Sequence, residues 1–316
     1  MKNIILSAAT VLLALGSLSA QQSDEIRFNF DNQYIHNPAA LSLWGQSEGS
    51  VYYQKNFTGV PNAPQVFYAG YQTAVPYQGI SAGIALTGQR AGVIQNTAVQ
   101  LSASYKIFDL ISNGDYLAGG IGVNFAHLSI ASEDIIVNNP QDPIIIQGFN
   151  SAISSNVNFG VLYSSLRVLD KRRPKPSYQI GASVLRTIPQ RVNLTNLDYK
   201  EQYYFGGLIG ATMPFSEDFS IRGLLELQFE GNRLLNSILS SEMKFANMVL
   251  AGLSFDKFNT VGFSIGCVIE NLFSDNSELR VSLNSNLPFG ELDHYVNPGY
   301  GIGLQYRFNG NQYDKF

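Results

Sequence analysis

Along most of this chain apolar and polar residues alternate one for one. In FSIRGLLELQFE (219–230), Phe219, Ile221, Gly223, Leu225, Leu227 and Phe229 share one parity, and Ser220, Arg222, Glu226, Gln228 and Glu230 the other. A strand turns successive side chains to opposite faces, so this is a strand with one apolar face. That face meets either a protein core or lipid. Similar segments recur from Ser50 to Phe308, the clearest being VQLSASYKI (99–107), VLAGLSFD (249–256), VGFSIGCVIE (261–270), LRVSLNSNL (279–287) and YGIGLQYRF (300–308). About fourteen are present, each near the roughly 9–11 residues of a tilted transmembrane strand. A soluble sandwich would need helices or a second sheet over these faces, and no pattern separates inner from outer strands.

The pattern therefore predicts an all-β fold, a transmembrane antiparallel β-barrel of the Gram-negative outer membrane with about 14 strands. An even strand number places both termini at one end, the periplasmic one. The three longest connections, near 131–154, 188–202 and 288–298, then fall on the extracellular side. Tight turns such as PYQG (76–79) and FANM (245–248) fall on the periplasmic side, with the basic connection 169–177 as the exception. Aromatic residues gather near predicted strand ends, at Tyr52, Tyr53, Phe57, Phe67, Tyr68, Tyr71, Tyr203, Tyr204, Phe205, Tyr306 and Phe308, where interfacial girdles belong.

The N-terminus reads differently. MKNIILSAATVLLALGSLSA has an early Lys, a short apolar stretch and small residues up to Ala20, the form of a secretory signal peptide at 1–20. Residues 21–49 form a segment ahead of the barrel proper (50–316), with turn-forming Asn-Pro and the aromatics Tyr34 and Trp44. It is expected at the periplasmic mouth or inside the lumen.

Composition supports a membrane barrel. Charged residues make up 14% of the chain, against roughly 25% in ordinary soluble proteins. A net charge of -4 with no large basic cluster argues against nucleic acid as a partner. The single Cys, Cys267, excludes an internal disulfide framework, and its parity makes it a buried or lipid-facing thiol.

No enzymatic constellation emerges, and neither a cofactor nor a metal site is expected. His36, His127 and His294 lie far apart, His36 reading as a surface residue beside the Asn-Pro turn. Asp293-His294 has no nucleophile in reach. Glu133, Asp134 and Asp142 are calcium-type ligands without a fixed spacing, which favours a solvated loop. The flanking Ile135, Ile136, Ile144 and Ile145 are apolar residues in a long extracellular loop, a candidate partner-binding patch. Arg222, Glu226, Arg280 and Arg307 fall on lumen-facing parities. So few lumenal charges favour a narrow or plugged barrel over a general porin.

YIHNPAAL (34–41) followed by YYQKNFTGVPNAPQVFYAG (52–70) resembles the PorP/SprF family of Bacteroidetes outer-membrane proteins associated with the type IX secretion system. The family's Asn-Pro-Ala element is matched by Asn37, Pro38 and Ala39. Its aromatic-Gly and Gly-Ala-Pro turn is matched in part by Phe57, Gly59, Ala63 and Pro64, with Phe57 where Trp is usual and Asn62 where Gly is usual. The resemblance implies an accessory that supports secretion or cell-surface anchoring of a protein such as a gliding adhesin. Its partners would be outer-membrane lipid, type IX secretion components and the secreted surface protein, with Asn37, Pro38, Phe57, Gly59, Ala63 and Pro64 as partner-binding candidates. The alternative is an outer-membrane channel or transporter for small or hydrophobic solutes.

Overall fold

The computed structural model describes residues 30–43, 45–75, 78–112, 114–130, 151–165, 176–188, 191–194, 197–200, 202–216, 218–257, 260–273, 277–289 and 297–308. Fourteen strands close into one antiparallel barrel. They are β1 (Ser47–Lys55), β2 (Gln65–Ala74), β3 (Ile80–Ala91), β4 (Ile94–Phe108), β5 (Tyr116–Ile130), β6 (Ala152–Ser164) and β7 (Ser177–Val184), then β10 (Tyr204–Pro214), β11 (Phe219–Glu230), β12 (Arg233–Phe245), β13 (Val249–Asp256), β14 (Thr260–Glu270), β15 (Glu278–Pro288) and β16 (Gly299–Phe308). The connection 185–203, read from the sequence as a plain loop, contains a hairpin of its own, β8 (Arg191–Leu194) with β9 (Leu197–Lys200). Strands pair in chain order, β7 reaches across the hairpin to β10, and β16 closes on β1. Closure pairs every strand on both sides, the condition for crossing a bilayer with strands.

The alternation becomes inside and outside. On β16, Gly299, Gly301, Gly303 and Arg307 are buried in the lumen while Tyr300, Ile302 and Leu304 are exposed. On β11, Leu224, Glu226 and Gln228 point inward and Leu225 and Leu227 outward. Around the barrel the exposed set is Ile84, Leu101, Ile121, Phe159, Ile209, Leu253, Phe263 and Leu283, whereas the buried set includes Gln100, Asn158, Ser240, Ser254 and Asn284. Apolar outside and polar inside inverts the soluble arrangement and is that of an outer-membrane barrel. Cys267 lies on the outward face and is exposed.

Aromatic rings mark both rims. At the end where β1 starts and β16 stops, Phe273, Tyr306 and Phe308 form a run with centroids 5.6 and 5.5 Å apart, and Phe219 contacts Phe215 and Phe245. At the other end Tyr53 meets Tyr300 at 6.4 Å and Tyr203 stacks on Phe205. The two longest connections, 131–151 and 185–203, share that second end, which by the rule of short periplasmic turns is extracellular. The third-longest is a correction. The basic connection 165–176 at the periplasmic end is longer than 289–298, because β6 stops at Ser164 and β7 starts only at Ser177.

The apolar packing inside the barrel centres on residues ahead of β1. Tyr34 and Leu41 pack with Tyr52, Val66, Tyr68 and Ala85. Ala39, Ala40 and Leu43 pack with Tyr116, Ala118, Leu162 and Leu208. A segment of the chain therefore fills part of its own lumen.

Candidate functional site

The segment 30–43 is compact because its sequence makes two short 3-10 turns, Gln33–Ile35 and Pro38–Ala40. Asn37 caps the second turn, its side-chain oxygen accepting from the Ala39 N–H at 3.0 Å, and Pro38 sits at the first turn position, where its missing N–H costs nothing. The other half of the Asn37 amide donates to the carbonyls of Val161 on β6 (3.0 Å) and Ala182 on β7 (3.4 Å). One side chain thus both shapes the turn and fastens it to the wall.

The wall receives the plug with glycines. A Cβ on Gly120 of β5 would lie 2.3 Å from the Ala39 nitrogen and the Pro38 carbonyl carbon, and one on Gly160 of β6 would lie 2.0 Å from the Asn37 oxygen. Glycine is required at 120 by the close approach of the plug backbone and at 160 by that of the Asn37 and Pro38 side chains. Elsewhere, Lys106 apart, the polar contacts are neutral hydrogen bonds. The Tyr34 hydroxyl meets that of Tyr68 at 2.8 Å and donates to Ile84 O at 3.0 Å, while Gln100 donates to Tyr34 O at 3.0 Å. Gln179 donates to the Gln33 side chain, the Ser183 hydroxyl to His36 O, and Gln72 accepts from the Ser42 N–H. Lys106, buried on β4, donates to Ser42 O and lies 5.2 Å from the Tyr116 ring centroid.

The charged part of the site lies at the periplasmic end. Asp31 meets Arg222 of β11 at 2.9 and 3.1 Å, Arg280 of β15 at 2.7 Å and Arg307 of β16 at 2.6 Å. Each arginine gives its Nε to a carboxylate of the wall: Arg222 to Glu242 at 2.8 Å, Arg280 to Glu278 at 2.7 Å and Arg307 to Glu48 at 2.7 Å. The Arg222 guanidinium also lies 4.4 Å from the Phe30 ring centroid. Burial works against ionisation of Asp31, but Arg222, Arg307 and Arg280 outweigh it and hold its carboxyl well below the usual range. His36, half-buried in the lumen rather than on the surface as the sequence suggested, is pushed down by burial to about 4.

Arg222, Arg280 and Arg307 thus converge on one point, whereas Glu226 is buried two-thirds of the way along β11, above them. Asn37 and Pro38, expected to contact a partner, are buried against the chain's own strands, because a cap wedged between β5, β6 and β7 has no surface to offer. The second half of that motif lies elsewhere, in the extracellular β1–β2 connection. Phe57 and Ala63 are buried there, Pro64 is half-buried and Gly59 is exposed with φ +79°. Thr58 of the same connection bonds Asn297 and Pro298, and Asn62 accepts from Arg90 at 2.9 Å. Ile135, Ile136, Ile144, Ile145, Trp44 and the Asp293-His294 pair lie outside the described residues.

Sequence reading missed Glu48, Glu242 and Glu278, although strand parity places them on lumenal faces. It also missed Asp31, for which no periodicity exists. Among the described residues no group of His, Cys, Asp or Glu could hold a metal ion.

Several solved barrels share this architecture. CymD, a monoaromatic hydrocarbon channel, superposes with a TM-score of 0.51 at 10% identity, covering 89% of this chain and 92% of its own. A Pseudomonas aeruginosa FadL homologue gives 0.52 at 8% identity over 90% and 95%. The Pseudomonas putida toluene transporter TodX gives 0.50 at 8% identity over 90% and 95%. At such identities the likeness is one of fold. No curated protein matches the sequence. The model of one family, the type IX secretion system membrane protein PorP/SprF, matches residues 18–306, and the chain is an outer-membrane barrel that belongs to this family.

Proposed function

We propose that this protein is a non-enzymatic accessory of the type IX secretion system that supports secretion or surface anchoring of a partner such as a gliding adhesin. The observation that carries the reading is the plug: a lumen holding its own chain segment, fastened at Asn37 and Asp31, suits a scaffold better than an open conduit. In this reading the outward apolar band sits in lipid and the periplasmic turns meet the secretion components. The extracellular connections, with Phe57, Gly59, Ala63 and Pro64 in a loop tied to Asn297 and Arg90, meet the secreted protein. The β5–β6 connection, whose sequence carries Ile135, Ile136, Ile144 and Ile145, is a further candidate for that contact.

Affinity purification from detergent-solubilised outer membranes, with a tag after Phe316, tests it. Recovery of type IX components or one large secreted adhesin supports the scaffold. The rival reading, passage of small apolar solutes, draws on the fold shared with CymD and TodX. Absence of partners together with solute-dependent conductance in a planar bilayer would favour it.

A further inference from the structure

We propose that Arg222, Arg280 and Arg307 form a carboxylate-binding site in their own right, whose resident ligand is Asp31, and that this exchangeable contact latches the plug. The wiring is the same three times over. Each Nε is held by a wall glutamate, and Asp31 takes both terminal nitrogens of Arg222, one of Arg280 by a hydrogen bond and one of Arg307 as an ion pair. Guanidiniums fixed in this way are organised before the ligand arrives, the arrangement that makes arginine selective for carboxylates.

The wall supplies its own charge balance through these three pairs, so the cage does not need Asp31 to stay assembled. Asp31 belongs to a different element. It is the sole carboxylate of residues 30–43, and that segment reaches the cage by threading the lumen, not through the barrel's strand pairing. The remaining plug contacts described above are apolar packing, hydrogen bonds of neutral groups, the Arg222 contact to the Phe30 ring and the Lys106 contact to a carbonyl. A crevice of about 20 Å³ between the plug and β7, β10 and β11 reaches Arg222, beside Phe30 and Gln33, space for about one water. The ligand class this geometry selects is accordingly a small carboxylate.

The consequence is a linkage with a definite sign. When the carboxylate is removed from the plug, docking buries guanidinium donors against an empty space. A free carboxylate that fills this space favours the docked plug. In the native chain the place is taken, so the same anion has nothing to fill.

The test uses the full chain with acetate as the probe at neutral pH. Asp31→Ala and Asp31→Asn are compared with the native protein in planar bilayers, in sodium acetate and in sodium chloride of equal ionic strength. Asp31→Ala is expected to raise the frequency of plug-release openings at least about tenfold in chloride. Acetate should reverse most of that rise, while leaving the native protein and Asp31→Asn, whose amide occupies the space, unchanged. Equal behaviour in the two salts, or Asp31→Ala openings at the native frequency, would overturn the proposal. Should Asp31→Ala fail to assemble, acetate during refolding is expected to restore the heat-modifiable barrel where chloride does not. Failure of acetate there counts equally against the site.

Discussion

Gly120→Ala places one methyl group where the plug backbone runs. The new Cβ would lie 2.3 Å from the Ala39 nitrogen and the Pro38 carbonyl carbon, and ordinary contact begins near 3.4 Å, so the plug must retreat by about 1 Å. The methyl is fixed to a strand paired on both sides, with Ser104 of β4 and Gly160 of β6, so the wall cannot give way instead. A retreat of that size carries the Asn37 amide beyond hydrogen-bonding range of Val161 and Ala182, which it meets at 3.0 and 3.4 Å, and strains the Ser183 contact to His36. Two or three such bonds at about 1 kcal/mol each, together with the overpacking itself, cost about 2–4 kcal/mol of docking free energy. That corresponds to a rise of about 30- to 1,000-fold in the ratio of released to docked plug.

The adjacent Gly119 is the control, because a Cβ there points outward with nothing within 4 Å. Single-channel recording of both variants reads the difference as open probability, with heat-modifiable electrophoresis confirming that each barrel is assembled. Equal open probability in Gly120→Ala and Gly119→Ala would refute the docking geometry on which the reasoning rests.

Further tests probe the rest of the structure. Deleting residues 30–43 should raise single-channel conductance, and unchanged conductance would show that this segment does not obstruct the lumen. Leu253→Arg, on the outward face of β13, should cost about 2–4 kcal/mol of barrel stability in bilayers, against under about 1 kcal/mol for Leu253→Met; denaturant titration of the folded barrel in vesicles measures it. For pH dependence, burial depresses His36 from 6.5 to about 4, so the released plug binds a proton that the docked plug excludes. Docking is at full strength above pH 6.5 and weakens by about 1–3 kcal/mol as pH falls to about 4. His36→Gln should remove most of this slope down to about pH 5, below which the released Asp31 carboxyl begins to bind protons that the docked one excludes and weakens docking further. Cys267 should react with an apolar maleimide in proteoliposomes and resist a charged, membrane-impermeant one, and rapid labelling by the charged reagent would contradict its outward placement.

The resemblance at Asn37, Pro38 and Ala39 pointed to the right family, but the residues that carried it turned out to serve the interior. A capping Asn followed by Pro is readable as a turn, whereas the wall it fastens to comes from β6 and β7, well over a hundred residues further along the chain. The glycines at 120 and 160 carry no local signal of what packs against them.

What the sequence determined by itself was the strand and its two faces. Alternation is a local property, enforced by the backbone's two-residue period, so the barrel, its approximate size, its apolar exterior and its lumenal arginines follow from it. Only the tertiary structure decided what the lumen holds. Asp31 has no periodic neighbours, and its three arginines come from β11, β15 and β16, each well over a hundred residues further along the chain. They meet it because the barrel closes β16 onto β1, so that the starts of β1, β11 and β15 and the end of β16 ring the one mouth where Asp31 lies.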